Sequence, residues 1–492
     1  MTKARRYHPL IMLFDTGKLI KDVFFPFLAL FIIKARSDSI YITYGRLLFF
    51  IVFGILLIRI LLKWLTHKYE LDDCSFHLYK GIFNKKELSV PFSKIQNINY
   101  RTTFIHRMLK VTSVSFETGM HGEEAAVKFE VISKKEAVQM EEYVTRALKG
   151  ELSAAEITVY KAESNRSIHF QPSQKDLFKA SFTSLSFLVI IPLLFSFYSK
   201  MDEFFHVEGK AKDLFFGIIN SWWLVVIIVI VFILFSVAFG IVRTFLVYGR
   251  YEISSDHDRI YIRKGIFNET AFSIAKDRVQ AIEIKQTLLK RLLGLAEVKL
   301  ISAGLQRLEY EKLEVSSLYP FLPVRRAFEM ITEILPAYEL AQEMEPLPKK
   351  SLWVRLLRPS WVWILTTIVL AYVHPVILGI RQAWWICSAV LLVVIVLARF
   401  LEFLNTQYTL NDRFIQLKKG FFISSLFLSK RDKVIEVSVT RNILQKWLGL
   451  ASIRTINRAK PVYHHSLTDI PEEFAESFFK WYVGRMNEIE IE

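Results

Sequence analysis

The chain has 492 residues, of which 52% are hydrophobic, 14% aromatic and 23% charged. So much apolar sequence excludes an ordinary soluble protein, and so much charge excludes a chain made of membrane spans alone, so the composition predicts spans alternating with water-facing domains. The net charge of +16 does not indicate a nucleic-acid-binding protein, because the bases gather beside the apolar runs and not on one domain: residues 1–66 hold ten Lys/Arg against three Asp/Glu.

Apolar runs occur along the chain in three pairs. A helix needs about 20 apolar residues to cross the roughly 30 Å hydrocarbon core of a bilayer. The sequence predicts spans at residues 19–33, 47–65, 180–199, 214–242, 360–380 and 382–398. The first run is the weakest, because its uncharged part covers only Val23–Ile33. We therefore expect six spans arranged as three hairpins.

Basic residues flank the hairpins on their outer sides, whereas the connectors within the hairpins carry few bases. The connector of the third hairpin, for example, contains Arg381 alone. Since short cytoplasmic flanks are enriched in Lys and Arg, this asymmetry places the N-terminus and all three large domains in the cytoplasm.

One polar group lies at membrane depth, His374, which precedes Pro375 in the fifth predicted span. An ionisable residue at this depth is by default a functional candidate. The alternative is a proline-kinked helix in which the His bonds a freed carbonyl. We favour the alternative, because the spans lack the paired charges and matched broken helices of a transporter.

Each hairpin is followed by a copy of one motif. The copies read YELDDCSFHLYKGIF from Tyr69, YEISSDHDRIYIRKGIF from Tyr251 and YTLNDRFIQLKKGFF from Tyr408. Their Lys-Gly steps end at Gly81, Gly265 and Gly420, and the offsets of 184 and 155 residues between copies hold without a gap as far as Val114 of the first copy. A glycine after an alternating strand predicts a hairpin turn that needs a positive φ.

An amphipathic helix closes each copy, so the predicted fold is three small β-sandwich or barrel domains, each closed by a C-terminal helix and preceded by a transmembrane hairpin. In the first copy Ser133 and Glu136 have capping-box spacing. The predicted organisation is a basic N-terminus with hairpin 1 (1–66), domain 1 (67–150), a linker (151–179), hairpin 2 (180–246), domain 2 (247–338), a linker (339–359), hairpin 3 (360–400) and domain 3 (401–492).

A base precedes an Ile or Val at the same position of every copy: Lys94, Arg278 and Lys433. Such bases either keep edge strands soluble or face anionic lipid headgroups, and the sequence leaves both interpretations open. Two residues after Lys94 and Arg278 come Gln96 and Gln280, which are candidate partner contacts. The third copy has Ile at this place, so it has lost any contact that the Gln makes.

The sequence contains no Walker A, G-x-S-x-G, H-E-x-x-H or C-x-x-C motif, and we predict neither an enzyme nor a bound cofactor or metal. Its two cysteines, Cys74 and Cys387, give no disulfide framework. The adjacent His464 and His465 are expected to form a solvated loop pair, because adjacent strand residues point apart and no Cys completes a ligand set.

The pattern Y-x-L-x-D, KGIF, K-I-Q and R-x-LGL-x-x-V resembles the second class of bacterial pleckstrin-homology-like (PH-like) domain. Three such domains behind hairpins resemble the YdbT-like membrane proteins of Gram-positive bacteria. The resemblance implies bent β-sandwiches, a place in the bacterial plasma membrane, and a partner that is a smaller homologous membrane protein with one PH-like domain. The first copy departs from the pattern, with Leu109-Lys110-Val111 in place of LGL.

The function expected from this resemblance is a non-enzymatic multi-pass scaffold in the lipid bilayer, whose domains bind protein partners in a cell-envelope complex and protect against membrane-active peptides. Two alternatives remain open. One is a lipid-handling or transport protein that uses the six-span bundle, and the other is recognition of anionic lipid by the domains. The sequence leaves the oligomeric state open.

Overall fold

The computed structural model describes residues 4–35, 39–82, 84–118, 126–149, 166–183, 222–302, 317–374, 382–459 and 462–485. Its contacts divide the chain into two units. Unit 1 comprises Met1–Arg166 with Tyr261–Ile274, and unit 2 comprises Ser167–Ile260 with Ala275–Glu492.

The strands of the described residues are β1 (Arg5–Arg6), β2 (Lys68–Leu71), β3 (Ser75–Lys80), β4 (Lys86–Pro91), β5 (Ile95–Thr102), β6 (Val111–Thr118), β7 (Ala126–Ser133), β8 (Ser167–Phe170), β9 (Glu252–Ser255), β10 (Arg259–Lys264), β11 (Glu269–Ala275), β12 (Val279–Thr287), β13 (Leu295–Ser302), β14 (Ser317–Pro323), β15 (Glu345–Pro346), β16 (Gln407–Leu410), β17 (Phe414–Lys419), β18 (Ile423–Lys430), β19 (Val434–Thr440), β20 (Leu450–Asn457) and β21 (Tyr463–Pro471). The α-helices are α1 (Ile11–Phe27), α2 (Ile40–Thr66), α3 (Phe104–Met108), α4 (Lys134–Lys149), α5 (Gln174–Thr183), α6 (Trp222–Tyr248), α7 (Leu288–Leu292), α8 (Val324–Ile334), α9 (Lys349–Leu357), α10 (Trp361–Val373), α11 (Ala383–Asn405), α12 (Ile443–Leu448) and α13 (Glu472–Gly484).

Three helical stretches within the described residues are long and apolar enough to cross a membrane, namely Ile40–Thr66, Lys349–Val373 and Ala383–Asn405. The prediction of six spans is therefore corrected to three long apolar helices in this part of the chain. The first predicted span belongs to α1 and the π-helical turn that continues it, and most of the fourth belongs to α6. Most of the third predicted span, 180–199, lies outside the described residues.

Unit 1 contains an antiparallel sheet of order β1-β2-β3-β4 and a second sheet in which β7, β6, β5 and β11 are neighbours. Between the sheets and α4 lies a core of alternating strand residues, including Phe76, Phe116 and Phe129. The backbone N–H of Glu136 donates to Ser133 Oγ at 3.2 Å, which caps α4 as its sequence predicts.

Unit 2 contains the antiparallel sheet β14-β13-β12-β18-β17-β16-β15 and the three-stranded sheet β19-β20-β21. The core of the third repeat is closed by α13, whose apolar face buries Phe478 and Trp481. The structure thus has antiparallel sheet regions with helices in all three repeats, as the sequence predicts. The domain boundaries themselves stay a prediction.

The segments before the three hairpins each add a short strand to a sheet. Strand β1 pairs with β2, β8 with β9 and β15 with β16. Because β8 and β15 come from the predicted linkers 151–179 and 339–359, these linkers are not simple tethers. They fasten the base of a hairpin to the sheet that follows it in sequence.

The predicted glycine turns are confirmed. Gly81, Gly265 and Gly420 have φ of +111°, +96° and +99°. A Cβ added to these residues would lie only 1.9 to 2.1 Å from the carbonyl oxygen three residues further on. A side chain is therefore excluded at the three turns both by backbone conformation and by lack of space.

Candidate interaction surface

Two successive repeats join through strand pairing, at two places in the chain. In unit 1, β5 of the first repeat pairs with β11 of the second, and Thr102 lies opposite Glu269. In unit 2, β12 of the second repeat pairs with β18 of the third, and Gln286 lies opposite Ser424. These pairs are equivalent by the repeat offsets, so the two joints share one register.

The predicted Gln contacts occupy a recurring β-bulge. The pairing register shifts by one residue in the equivalent strands of the three repeats: between Ile95 and Asn97 in β5, between Val279 and Ala281 in β12, and between Val434 and Glu436 in β19. The bulge residues are therefore Gln96, Gln280 and Ile435. Bulges break a ladder locally and redirect the bulged residue. The Gln280 side chain donates to the carbonyl of Arg278 at 3.2 Å, and the side chain of Gln96 lies outside the described part of the structure.

The three recurring bases end three equivalent 3₁₀ turns. Lys94 is exposed, and Arg278 lies 3.4 Å from the neighbouring Asp277. Lys433 donates to the carbonyl of Asp277 at 3.2 Å, across the joint between the second and third repeats. At least this base serves contact between repeats.

The equivalent strand of the third repeat, β19, has β20 on one side and is the end strand of its sheet among the described residues. At the joint of the second repeat Ala281, Ile282 and Ile284 are buried, whereas the third repeat has an exposed Glu436 and partly exposed valines at the equivalent positions. The third repeat thus presents an open edge (residues 436–441) where the first two carry a strand of the following repeat.

A short helix follows this strand in each repeat and points a polar residue inward. Its N-terminus is capped by Thr103, Thr287 or Asn442. His106 of α3 is buried beside the Glu130 carbonyl at 3.1 Å. At the same position Lys290 of α7 lies 2.9 Å from Glu297, and Gln445 of α12 donates to Asp469 at 2.7 Å.

The same helices point apolar residues outward. The penultimate or last residues Met108, Leu292 and Trp447 are 69%, 83% and 80% exposed. The first residue of the helix belongs to the joint: Phe104 packs edge-on against Phe267 with ring centroids 6.1 Å apart. These helices therefore have polar residues inside and apolar residues outside, the reverse of a helix that faces water.

Comparisons with known proteins agree with the repeat. The profile of the family described as Bacterial PH domain matches residues 23–148, 189–337 and 364–486. The chain belongs to this family. It is 24% identical over 497 positions to the UPF0699 transmembrane protein YdbT of Bacillus subtilis (strain 168), with 98% of each chain covered. No solved structure matches. The predicted resemblance is thereby confirmed.

The bacterial PH domain of the third repeat contains a charged cluster that the sequence did not reveal. Asp469 is fully buried, and its carboxylate lies 3.4 Å from both Arg355 and Arg358. Arg355 is also buried and belongs to α9, within the predicted linker. The cluster therefore fastens the start of the third hairpin to the domain. The bases were visible as flanking charges, but nothing in the sequence indicated a distant acid as their partner.

The structure corrects the interpretation of the His pair. His465 lies in β21 and is buried, with its ring stacked 4.3 Å from that of Phe427. Only His464 is exposed, so the two side chains do point apart, but they form no solvated loop. Burial lowers the pKa of His465 well below its ordinary value.

His374 lies at the end of α10, in the left-handed conformation. The ring is edge-on to Trp384 at 5.7 Å. Helix α10 ends at Val373, and the predicted kink at Pro375 lies outside the described residues. Within the described residues no group of three His, Cys, Asp or Glu could hold a metal ion.

Proposed function

We propose that the chain is a non-enzymatic multi-pass scaffold in the bacterial plasma membrane, whose domains bind protein partners of a cell-envelope assembly. The observation that carries this proposal is the pair of strand joints, which have the same register. A domain that associates twice with its own kind through one edge is suited to associate with further domains of that kind. The proposed partner is a smaller membrane protein with a single bacterial PH domain.

The bases at the joints support protein contact over headgroup binding, because they are engaged between repeats. Lys433 donates to a carbonyl of the second repeat, and Arg107 pairs with Glu269 at 3.4 Å in the first joint. Bases that are used between repeats are less available to anionic lipid. Contacts of this kind combine main-chain pairing with side-chain packing, which is the usual mode of strand addition.

The first experiment is co-purification. Full-length protein with an affinity tag is extracted from its own membrane in mild detergent and washed at about 0.5 M salt, where long-range charge attraction is largely screened. We expect a membrane protein with one bacterial PH domain to be retained. The matched variant changes Lys94, Arg278 and Lys433 to Ala and should retain the same protein. Absence of any such protein from the wild-type eluate would contradict the scaffold.

The second experiment concerns orientation. We propose that the N-terminus and all three domains are cytoplasmic, on the basis of the basic flanks. Reporter fusions after Pro348 and Glu492 should give a cytoplasmic signal, and a fusion at Glu208 an external one. A cytoplasmic signal at Glu208 would refute the second hairpin.

A second candidate, contact of the domains with lipid, is favoured by the short helices. Their outward residues Met108, Leu292 and Trp447 stay exposed even in the two repeats whose joints are occupied. Apolar residues beside bases such as Arg291 and Lys446 suit the interface between headgroups and acyl chains. On this view the short helices rest on the bilayer and orient the domains.

This contact is measurable in the full-length protein. The native cysteines Cys74 and Cys387 are changed to Ser, and an environment-sensitive fluorophore is attached at Trp447→Cys or, as a control, at the exposed His464→Cys. Transfer from detergent into lipid nanodiscs should shift the emission at 447 to the blue and leave that at 464 unchanged. Equal spectra at the two sites would exclude lipid contact by this helix.

The proposed physiological role is protection of the envelope against membrane-active peptides. A strain that lacks the protein should then become more sensitive to such peptides, and the wild-type chain should restore resistance. Unaltered sensitivity would remove this role and leave the scaffold itself to the co-purification test.

A further inference from the structure

The open edge of the third repeat is the surface on which the scaffold has room for one more domain. The two internal joints have four residue pairs in common. In the second joint Glu283, Ile284, Lys285 and Gln286 lie opposite the four residues of β18 that run from Phe427 back to Ser424. In the third repeat the equivalents of Glu283 to Gln286 are residues 438–441. They have β20 on one side and, among the described residues, no strand on the other.

We propose that residues 438–441 pair with the end strand of a bacterial PH domain that belongs to a different protein. This inference rests on the proposed function. The incoming strand is the one that follows the Lys-Gly turn, as β11 and β18 do. The shared register places its fourth residue after the turn glycine opposite Arg441, at the position that Glu269 and Ser424 occupy in the internal joints.

The composition of β19 fits an edge that receives a strand. Its sequence VIEVSVT is rich in β-branched residues and carries a single charge. Proteins normally protect an edge strand from association with Lys, Pro or inward charges. Strand β4, the end strand of the first sheet in the described part of unit 1, has that protection: it begins with Lys86-Glu87 and ends with Pro91.

Charge decides against a second copy of this chain as the occupant. In a second copy the strand after the turn is β4, and its fourth residue after Gly81 is the exposed Lys85. Lys85 would then lie opposite Arg441, whose guanidinium group forms an ion pair with Glu472. Like charges directly opposite each other destabilise a strand pair, and Lys85 would compete with Arg441 for that one carboxylate. An occupant with Glu or a small polar residue at this position, as in the two internal joints, avoids the repulsion.

The short helix would complete the joint. In the second joint the N–H of Leu288 donates to the carbonyl of Phe422, which lies in the turn of the incoming repeat, at 3.1 Å. The equivalent of Leu288 is Ile443, which is 71% exposed. The turn of the incoming domain would cover Ile443 and leave Trp447, further along the helix, uncovered.

Site-specific photo-crosslinking tests this surface in living cells. A photoreactive amino acid replaces Val439 in the full-length chain. Two control positions are Ile284, which lies opposite Leu426 inside the second joint, and the exposed His464 on β21. We expect position 439 to capture a second protein, position 284 to give only an internal crosslink to β18, and position 464 to give neither. Peptide mapping must place the crosslink on the strand after the Lys-Gly turn of a bacterial PH domain.

The other outcomes overturn the proposal. A crosslink to residues 85–91 would identify a second copy, and a lipid adduct would identify the bilayer. Capture at any other part of a partner, or no capture at 439 while 284 reacts, would exclude this edge. Co-purification is measured separately. A partner that is retained on the column but not captured at 439 refutes the surface alone, whereas no retained partner refutes the scaffold.

Discussion

The buried cluster around Asp469 gives the sharpest prediction about stability. Asp469 is fully buried and has φ of +64°, a conformation that Asn tolerates as well as Asp. Asp469→Asn therefore removes the charge while keeping the shape and the backbone preference. The guanidinium groups of Arg355 and Arg358 then lose the carboxylate that lies 3.4 Å from each.

The cost follows from the burial of Arg355, whose side chain is only 6% exposed. Removing one member of a buried ion pair typically costs about 3–5 kcal/mol, because the other charge is left uncompensated. Glu402, which lies 3.9 Å from Arg355, remains as a second carboxylate and keeps the cost at the lower end of this range. Arg358 is 46% exposed, so solvent compensates for most of its loss. We expect Asp469→Asn to lower the free energy of opening α9 from the domain by about 3 kcal/mol, and the control Arg358→Ala by less than about 1 kcal/mol.

Hydrogen exchange of the full-length protein in detergent measures this opening locally. A loss of about 3 kcal/mol corresponds to roughly a hundredfold faster exchange, since 1.36 kcal/mol is a factor of ten. The faster exchange should appear in α9 and β21, and β6 in unit 1 should keep its protection. Protection of α9 that is equal in Asp469→Asn and wild type would refute the ion pair as the fastening of the third hairpin.

Two further predictions concern the third repeat. A Cβ at Gly420 would lie 2.0 Å from the carbonyl oxygen of Ile423, whereas one at Gly449 would meet nothing within 4 Å although its φ is also positive. The Gly420→Ala variant should therefore have a lower melting temperature than the Gly449→Ala variant. Equal melting temperatures would contradict the close approach at Gly420. Because burial depresses the pKa of His465, the native imidazole stays neutral where the unfolded chain binds a proton, so stability is lost as the pH falls below about 6.5. His465→Phe, which keeps the ring against Phe427, should make unfolding less dependent on pH between about 6.5 and 5, and an unchanged dependence would assign it to other groups.

The sequence was sufficient to predict features that depend on local pattern. The Lys-Gly steps at Gly81, Gly265 and Gly420 predicted positive φ because only a tight turn explains a glycine at that place in an alternating strand. The closing helices and the cap at Ser133 followed from periodicity and spacing in the same way. The bacterial PH domain was recognisable because its motif recurs three times at constant offset.

The joints between repeats were not predictable, because strand pairing partners are chosen over long sequence separations. Nothing local to Thr102 indicates that it lies opposite Glu269. The apolar face of the short helices was missed for a related reason. A pattern such as that around Leu292 reads as a core helix, and only the position of Lys290 beside Glu297 shows which side of the helix is inward.

The carbonyl of the bulge residue has a different hydrogen-bond donor in the second and third repeats. In the second repeat the carbonyl of the bulge residue, Gln280, accepts from Ser429 of the docked strand at 3.1 Å. In the third repeat the carbonyl of the bulge residue, Ile435, instead accepts from the hydroxyl of Tyr482 on the chain's own closing helix. The carbonyl of the last repeat's bulge residue is therefore hydrogen-bonded without a following repeat. Since β11 has Ile274 where β18 has Ser429, the first joint also forms without that hydroxyl, and the four pairs at 438–441 remain available to an incoming strand.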